Sequence, residues 1–192
     1  ALRIAFAIVK GLEYAWSQGV IHRDIKPGNI IIDRNSRRVK ILDFGLGKIA
    51  SESSGDGITM TGESMGTPHY MSPEQIRDAR TADYRSDIYA VGATLYHLLV
   101  GKPPYFDCSG TLNVVRTKIR TDPIPVKELV PEVSDEVSAI VSKAMSILLE
   151  ERYQSYQELS QDLEKELRKF ENKSENKGAS ELKDQSNPKD LC

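Results

Sequence analysis

Residues 20–33, VIHRDIKPGNIIID, constrain the fold of this chain more than any other stretch. Two short runs rich in β-branched residues, NIIID and VKILD, are joined by DRNSRR, which has the composition of a turn, so a small β-hairpin is predicted. A loop dense in polar groups leads into this hairpin. Its polar residues are His22, Arg23, Asp24, Lys26 and Asn29. Such a loop is either a solvated connection or a functional site.

Most of the remaining chain has helical periodicity. Residues 1–18 carry apolar side chains at spacings of three and four, and SDIYAVGATLYHLLVG is apolar on nearly all sides, as in a buried helix. Further helices are predicted around residues 109–119, 134–146 and 155–170. The predicted fold class is therefore mainly α, a helical bundle with one small β-hairpin that carries the polar loop.

Two segments lack this periodicity. From Asp43 to Thr67 the chain is rich in Gly, Ser and Thr, and so long a segment without regular structure is typically functional or disordered. Residues 171–192 are polar and nearly lack large apolar groups, so they cannot offset the entropy lost on ordering and are predicted to form a disordered tail. The compact domain is accordingly assigned to residues 1–170.

The composition narrows the function classes. The 192 residues, 39% of them hydrophobic, suit one domain, and a net charge of −2 gives no general attraction to nucleic acid. No apolar run reaches the ~18 residues of a membrane span, so no membrane contact is expected from this segment. Two cysteines form no disulfide framework, which favours a reducing, cytoplasmic location. Because the chain opens inside a helical pattern without Met, it is expected to be a fragment.

The open end of the hairpin is predicted to gather oxygen ligands and charge. Asp24 precedes the first strand and Asp43 follows the second, so the two carboxylates can approach one point. Asn29 lies at the start of the first strand, and Asn29 with Asp43 would suit Mg²⁺ better than Zn²⁺. Lys26 adds a positive charge near Asp24. A general base, a cation and a metal pair directed at one place fit phosphate chemistry.

Three motifs in order carry a family resemblance: HRDIKPGN, DFG at residues 43–45 and GTPHYMSPE at residues 66–74. They resemble the eukaryotic-type protein kinases, most closely the bacterial Ser/Thr branch. The resemblance covers residues 1–170 as a kinase C-lobe. It implies an ATP-dependent serine/threonine protein kinase that transfers the γ-phosphate of Mg-ATP to a protein substrate. The N-lobe is expected to be missing, so the isolated chain is expected to be inactive.

The resemblance also implies roles for residues of the catalytic loop. Asp24 is expected to be the catalytic base that orients the substrate hydroxyl, and Lys26 is expected to contact the γ-phosphate. Lys26 together with Thr67, in the substrate-facing loop, points to Ser/Thr rather than Tyr substrates. The residues expected at the bound cofactors are Asn29 and Asp43 for Mg²⁺, and Lys26 and Ile31 for ATP.

Other motif residues are expected to be structural. In kinases of this kind His22 and Phe44 would stack in the spine that aligns the two lobes. Asp87 would hold the backbone of the catalytic loop, and Glu74 would pair with Arg152.

A regulatory role is expected for the arginine before the catalytic aspartate. In kinases with this arginine, a phosphate on the activation segment commonly pairs with it, so Arg23 is the expected receptor. Thr59 and Thr61 are the expected phosphorylation sites, since a phosphothreonine adds about −1.5 to −2 charges and three acceptor oxygens.

Plainer interpretations exist for each residue taken alone. Asp24 and Arg23 could form a surface ion pair, Asp87 could cap a helix, and Thr59 and Thr61 could be solvated. The kinase interpretation explains all the positions together. A pseudokinase or truncated lobe acting as a binding or scaffold module is the alternative, although such proteins usually lose the aspartates that this chain keeps. A Mg²⁺-dependent phosphohydrolase would leave the activation-segment motifs unexplained.

Overall fold

The computed structural model of the chain describes residues 1–44 and 68–184, with side chains as far as residue 172. Within these ranges the chain forms seven α-helices and one two-stranded sheet, which confirms the predicted fold class. The helices are α1 Leu2–Ser17, α2 Pro73–Arg77, α3 Tyr84–Val100, α4 Thr111–Lys118, α5 Val126–Leu129, α6 Asp135–Ala144 and α7 Tyr156–Asp184. The strands are β1 Ile30–Ile32 and β2 Val39–Ile41.

The predicted hairpin is present and short. Strands β1 and β2 are antiparallel, with Ile30 opposite Ile41 and Ile32 opposite Val39. Asp33 closes the turn, because its Oδ1 accepts hydrogen bonds from the backbone N–H groups of Asn35 and Ser36. A one-turn 3₁₀ helix, Pro27–Asn29, leads directly into β1. The loop before the hairpin is therefore tied to a defined strand register.

The core lies among α1, α3, α6 and α7. Helix α3 is buried along most of its length, as its apolar sequence predicts, and it ends at Gly101, which has a left-handed φ of 78°. At Gly92, an added Cβ would lie 2.8 Å from Cβ of Ala144 and 2.9 Å from Cγ of Met145. A glycine is therefore required where α3 crosses the end of α6. Fully buried members of this core include Ile8, Leu12, Ile88, Leu95, Met145, Leu159 and Leu163.

The C-terminal helix corrects one boundary of the sequence interpretation. A helix was predicted to end at residue 170 and to be followed by a disordered tail, whereas α7 continues to Asp184. Residues 171–184 include six Lys and Glu residues, which have high helix propensity, and the helix that starts on the core continues through them to Asp184. Residues 185–192 lie outside the described residues.

Among residues 1–44 and 68–184, no helix combines the length and the hydrophobicity that crossing a bilayer requires.

Candidate active site

The polar loop at residues 20–29 and the segment that follows β2 meet at the open end of the hairpin. The backbone N–H of Leu42 donates to the carbonyl oxygen of Asn29 at 2.8 Å, which extends the strand pairing by one step. Asn29 and Leu42 are thus opposite each other, and Asp43 follows immediately. Asp43 is exposed and has a left-handed φ of 50°. The geometry therefore leaves the Asp43 side chain accessible beside Asn29, as the hairpin prediction requires.

Asp87, in the first turn of α3, holds the backbone of the loop. Its Oδ2 accepts the N–H of His22 at 2.8 Å, and its Oδ1 accepts the N–H of Arg23 at 2.7 Å. The hydroxyl of Tyr156 donates to Oδ2 as well, at 3.2 Å. Arg23 has a left-handed φ of 64°, an unfavourable conformation for a residue with a side chain, and the two bonds to Asp87 stabilise it.

Burial has an electrostatic consequence at Asp87. The side chain has no exposed surface, and burial raises the pKa of its carboxyl, although the two backbone N–H donors act in the opposite direction. The contact that the sequence predicts, Asp87 holding the loop backbone, is present in the structure.

His22 connects the loop with the end of the hairpin. Its Nδ1 accepts the backbone N–H of Asp24 at 3.2 Å, and its Nε2 lies 2.8 Å from the carbonyl oxygen of Leu42. Because Nδ1 is an acceptor, these contacts assign the neutral tautomer with the proton on Nε2, which donates to Leu42. The ring of His22 also lies against Phe44, with centroids 4.8 Å apart and planes inclined by 54°. The two rings predicted to stack are thus in contact, in a tilted arrangement.

Asp24 is held by two neighbours on the same loop. The side-chain amide of Asn29 donates to the backbone oxygen of Asp24 at 2.8 Å and to its Oδ2 at 3.2 Å. The ammonium of Lys26 lies 3.0 Å from the same Oδ2. The side chains of Lys26 and Asp24 are 24% and 18% exposed, so this carboxylate is accessible yet fixed. These bonds use the amide nitrogen of Asn29, so its oxygen is the atom that could bind a metal.

The candidate metal ligands are oxygen donors at the open end of the hairpin. Within residues 1–44 and 68–172, no three or more His, Cys, Asp or Glu side chains are grouped so as to hold a metal. The sequence, however, predicts only two protein ligands, Asn29 and Asp43. Two oxygen donors fit Mg²⁺, which usually keeps several waters and takes its remaining ligands from substrate phosphates.

A second region faces the loop from residues 68–75. The side-chain amide of Gln75 donates to the backbone oxygen of Arg23 at 3.0 Å, so this region is tied directly to the residue before Asp24. Ser72 caps α2 in a capping box, with its backbone N–H donating to Oε1 of Gln75 and its hydroxyl oxygen accepting the N–H of Gln75. The spacing Ser72-x-x-Gln75 is a signal that sequence reasoning could have used and did not.

The pair predicted from the sequence between Glu74 and Arg152 is present and buried. Both terminal nitrogens of the guanidinium donate to the carboxylate at 2.7 Å. Arg152 also donates from Nε to the backbone oxygen of Ser146, and Ser86 donates its hydroxyl to Glu74. Burial alone would raise the pKa of Glu74, but the hydrogen bonds and charge of Arg152 outweigh it and lower the pKa to about 2. The carboxylate is therefore ionised at neutral pH.

Other predicted residues are only partly placed. Ile31, expected under the adenine, is 48% exposed on the hairpin, and the roles of Asp24, Lys26, Asn29 and Ile31 toward ATP stay predictions. Thr59, Thr61 and Thr67 lie outside the described residues. Sequence reasoning missed Tyr156, Gln75 and Lys118, each of which makes contacts in or beside the site.

The chain is thus a mainly helical lobe whose polar loop lies at the open end of a short hairpin. The protein kinase domain matches residues 1–163, so the chain belongs to the protein kinase family.

Several bacterial proteins resemble the chain in sequence. It is 39% identical over 125 residues to the serine/threonine-protein kinase PknB of Mycolicibacterium smegmatis, and 38% identical over 125 residues to the proteins of that name in Mycobacterium tuberculosis and Mycobacterium leprae. Each alignment covers 65% of this chain and 19% of the relative. The matched part is therefore about a fifth of the length of these curated relatives.

Proposed function

We propose that this chain is the C-lobe of an ATP-dependent serine/threonine protein kinase. The observation that carries the proposal is the carboxylate of Asp24, fixed by Asn29 and Lys26 at the mouth of the hairpin. The names of the bacterial relatives support the same reaction class. Because the aligned part is a small share of those proteins, the activity is proposed for the full-length gene product.

Asp24 would act on the hydroxyl of a protein serine or threonine. It orients this hydroxyl and accepts its proton while the bond from the hydroxyl oxygen to the γ-phosphorus forms. The bond from the γ-phosphorus to the bridging oxygen of ADP breaks, and ADP leaves. Lys26 places a positive charge next to the transferred phosphoryl group. Catalysis of this kind is mostly positioning and charge stabilisation.

Asn29 and Asp43 would hold Mg²⁺, through an amide oxygen and a carboxylate. The ion, when bound, neutralises charge on the phosphate oxygens. The hydrogen bonds from the Asn29 amide to Asp24 give this role a structural basis, because they orient the metal-binding oxygen and the base together.

The rest of the nucleotide site is proposed to come from an N-lobe of the full-length protein. Three apolar side chains around the hairpin support this, since Ile31, Ile32 and Leu42 are 48%, 40% and 36% exposed. Apolar side chains exposed close together suit a contact with another part of the protein. The isolated 192-residue chain is accordingly expected to hold ATP weakly and to transfer no phosphate.

Serine/threonine selectivity and regulation complete the proposal. Lys26 and Thr67 are the residues that favour Ser/Thr substrates. Phosphorylation of Thr59 or Thr61, in trans, is proposed to switch the enzyme on through Arg23, whose left-handed backbone is fixed by Asp87. Mass spectrometry of active, autophosphorylated protein should find phosphate on one of these threonines, and finding both unmodified would contradict the switch.

The catalytic role is tested with the substitution Asp24→Asn in the full-length gene product. Transfer of labelled phosphate from ATP to a threonine peptide, chosen from an array for phosphorylation by the wild type, should fall by about a thousandfold or more. The matched control is Asp33→Asn in the turn of the same hairpin, where an amide oxygen can still accept the turn bonds. That variant should keep wild-type transfer.

Two results would count against the proposal. Normal turnover by Asp24→Asn would remove Asp24 from the reaction. A full-length wild type that binds its partners and transfers no phosphate, under any phosphorylation state of Thr59 and Thr61, would favour the scaffold alternative.

A further inference from the structure

A buried lysine outside the family motifs holds the backbone of residues 68–71. Lys118, the last residue of α4, has no exposed surface. Its ammonium donates to the carbonyl oxygens of Pro68 at 2.8 Å, His69 at 2.6 Å and Met71 at 2.7 Å. An ammonium has three protons, and each of them has one carbonyl partner here. The match leaves no donor unused.

Burying the ammonium of Lys118 costs free energy, because the charge loses its contact with water. Burial lowers the pKa of Lys118 well below its usual value, the charge of Arg152 lowers it further, and Glu74 offsets part of this. Two ring faces compensate in part, since the ammonium lies 5.0 Å from the ring centroid of Tyr89 and 5.4 Å from that of Tyr105. An apolar side chain here would leave three buried carbonyl groups without a donor, so the lysine fixes the backbone of residues 68–71 in one arrangement.

The segment that Lys118 holds, residues 68–71, continues directly into the capping box of α2. Gln75 in that box donates to the backbone oxygen of Arg23, beside Asp24. Two further contacts fix the segment from the side of α3, because Nδ1 of His69 lies 2.7 Å from the carbonyl oxygen of Pro104 and the hydroxyl of Tyr70 contacts His97. A continuous set of bonds therefore runs from Lys118 through this segment to the catalytic loop.

We propose that Lys118 is a positioning residue for the protein substrate, which fixes residues 68–71 as the surface that receives the peptide around the accepting hydroxyl. The proposal rests on the proposed kinase function and deepens it. Lys118 touches neither the hydroxyl nor ATP. It acts through three backbone carbonyl groups. If these groups lose their donor, residues 68–71 move and the peptide shifts relative to Asp24. The nucleotide residues on the hairpin stay in place.

The test uses the substitution Lys118→Met in the full-length gene product. Methionine keeps the length and the apolar stem and removes all three donors. With the threonine peptide chosen from an array, kcat/KM for the peptide should fall by about ten- to a hundredfold, the size expected for a misplacement of about 1 Å. The KM for ATP and the slow hydrolysis of ATP without peptide should stay within about twofold of the wild type.

Two further variants separate positioning from simple loss of stability. Lys143→Met on α6 is the matched control, because Lys143 is an exposed lysine whose ammonium also lies over a tyrosine ring, that of Tyr153, at 4.1 Å. It should leave kcat/KM for the peptide and the KM for ATP unchanged. Lys118→Gln keeps two N–H donors without the charge, and its kcat/KM for the peptide should lie between the values of the wild type and Lys118→Met.

The outcomes are distinct. If Lys118→Met does not fold, Lys118→Gln decides, and an unchanged kcat/KM for the peptide in that variant overturns the inference. Equal losses toward peptide and ATP would show a merely structural lysine. A wild type without any phosphate transfer would instead overturn the proposed function, and the positioning role with it.

Discussion

Two loops of this lobe are each fixed by a single buried charge, and the charges are opposite. At the polar loop, residues 20–29, the carboxylate of Asp87 accepts the backbone N–H groups of His22 and Arg23. At residues 68–71, the ammonium of Lys118 donates to three backbone carbonyl oxygens. In each loop the sign of the charge follows from which backbone groups point inward.

The difference between the loops lies in what else supports them. The polar loop continues into a strand and is also bound through His22 and Asn29. Residues 68–71 have no strand pairing and depend on the side chains of His97 in α3 and Lys118 in α4. Buried backbone groups that lack secondary-structure partners need side-chain partners. A charged side chain can form several hydrogen bonds at once, so one residue satisfies more of these backbone groups than a neutral side chain would.

The largest effect is expected at Asp87, which holds the left-handed backbone of Arg23 in the polar loop. In Asp87→Asn, the amide oxygen can still accept one N–H, but the amide nitrogen would face the other, leaving a buried donor without a partner. The free energy of unfolding should fall by about 3 kcal/mol, and phosphate transfer by the full-length protein should fall by about a hundredfold or more. Urea unfolding and initial-rate assays measure the two effects.

A control on the same helix tests whether α3 as a whole is responsible. Asp83 caps α3 and is 38% exposed, and asparagine is as good a cap as aspartate. Asp83→Asn should therefore change unfolding by no more than about 0.5 kcal/mol. Equal losses in the two variants would show that the helix start, and not the bonds to the loop, carries the effect.

The next effect is a dependence of stability on pH. It tests the ion pair between Glu74 and Arg152, which lies next to residues 68–71. The pKa of Glu74 is about 2 in the folded state against an ordinary value of 4.5, so the folded state binds its proton less readily than the unfolded state. The pair thus contributes stability that is fully present above pH 4.5 and is lost as pH falls towards 2. The size of this contribution is about 3 kcal/mol.

Glu74→Gln isolates this contribution. The variant should be less stable than the wild type at pH 7, and its stability should change less between pH 5 and pH 3. Urea unfolding at each pH, by circular dichroism, gives both curves. Parallel curves for wild type and variant would show that other groups account for the acid sensitivity.

Some features of the lobe follow from sequence, either from a local pattern or from the family resemblance. The hairpin follows from two runs rich in β-branched residues around a turn, and the pairing of Glu74 with Arg152 follows from motifs of the family that the chain resembles. The membership in the protein kinase family, inferred from three motifs, is confirmed by the match over residues 1–163.

Other features could not be predicted, and the reason is physical. Lys118 and Gln75 bind backbone carbonyls some fifty residues away in sequence, and a carbonyl is the same in every residue, so no residue type marks the partner. The end of α7 was misplaced for the opposite reason. Its extension depends on local helix propensity, which a criterion based on apolar burial does not detect.

The smallest effect is expected at the bond that joins the two loops. Gln75→Met removes three bonds: the one from its amide to the backbone oxygen of Arg23, and the two that its Oε1 accepts from the N–H and the hydroxyl of Ser72. Ser72→Ala removes the cap and keeps the bond to Arg23. Ser72→Ala should cost about 1 kcal/mol through loss of the cap. Gln75→Met keeps the bond from its backbone N–H to the Ser72 hydroxyl and should cost about 2 kcal/mol through its lost side-chain bonds. Only Gln75→Met should also lower the rate of phosphate transfer, by about threefold to tenfold, because only in that variant do residues 68–71 lose their bond to the residue before Asp24.

Urea unfolding and initial rates on both variants of the full-length protein measure these effects. Equal rates would mean that the two loops are positioned independently, each by its own buried charge.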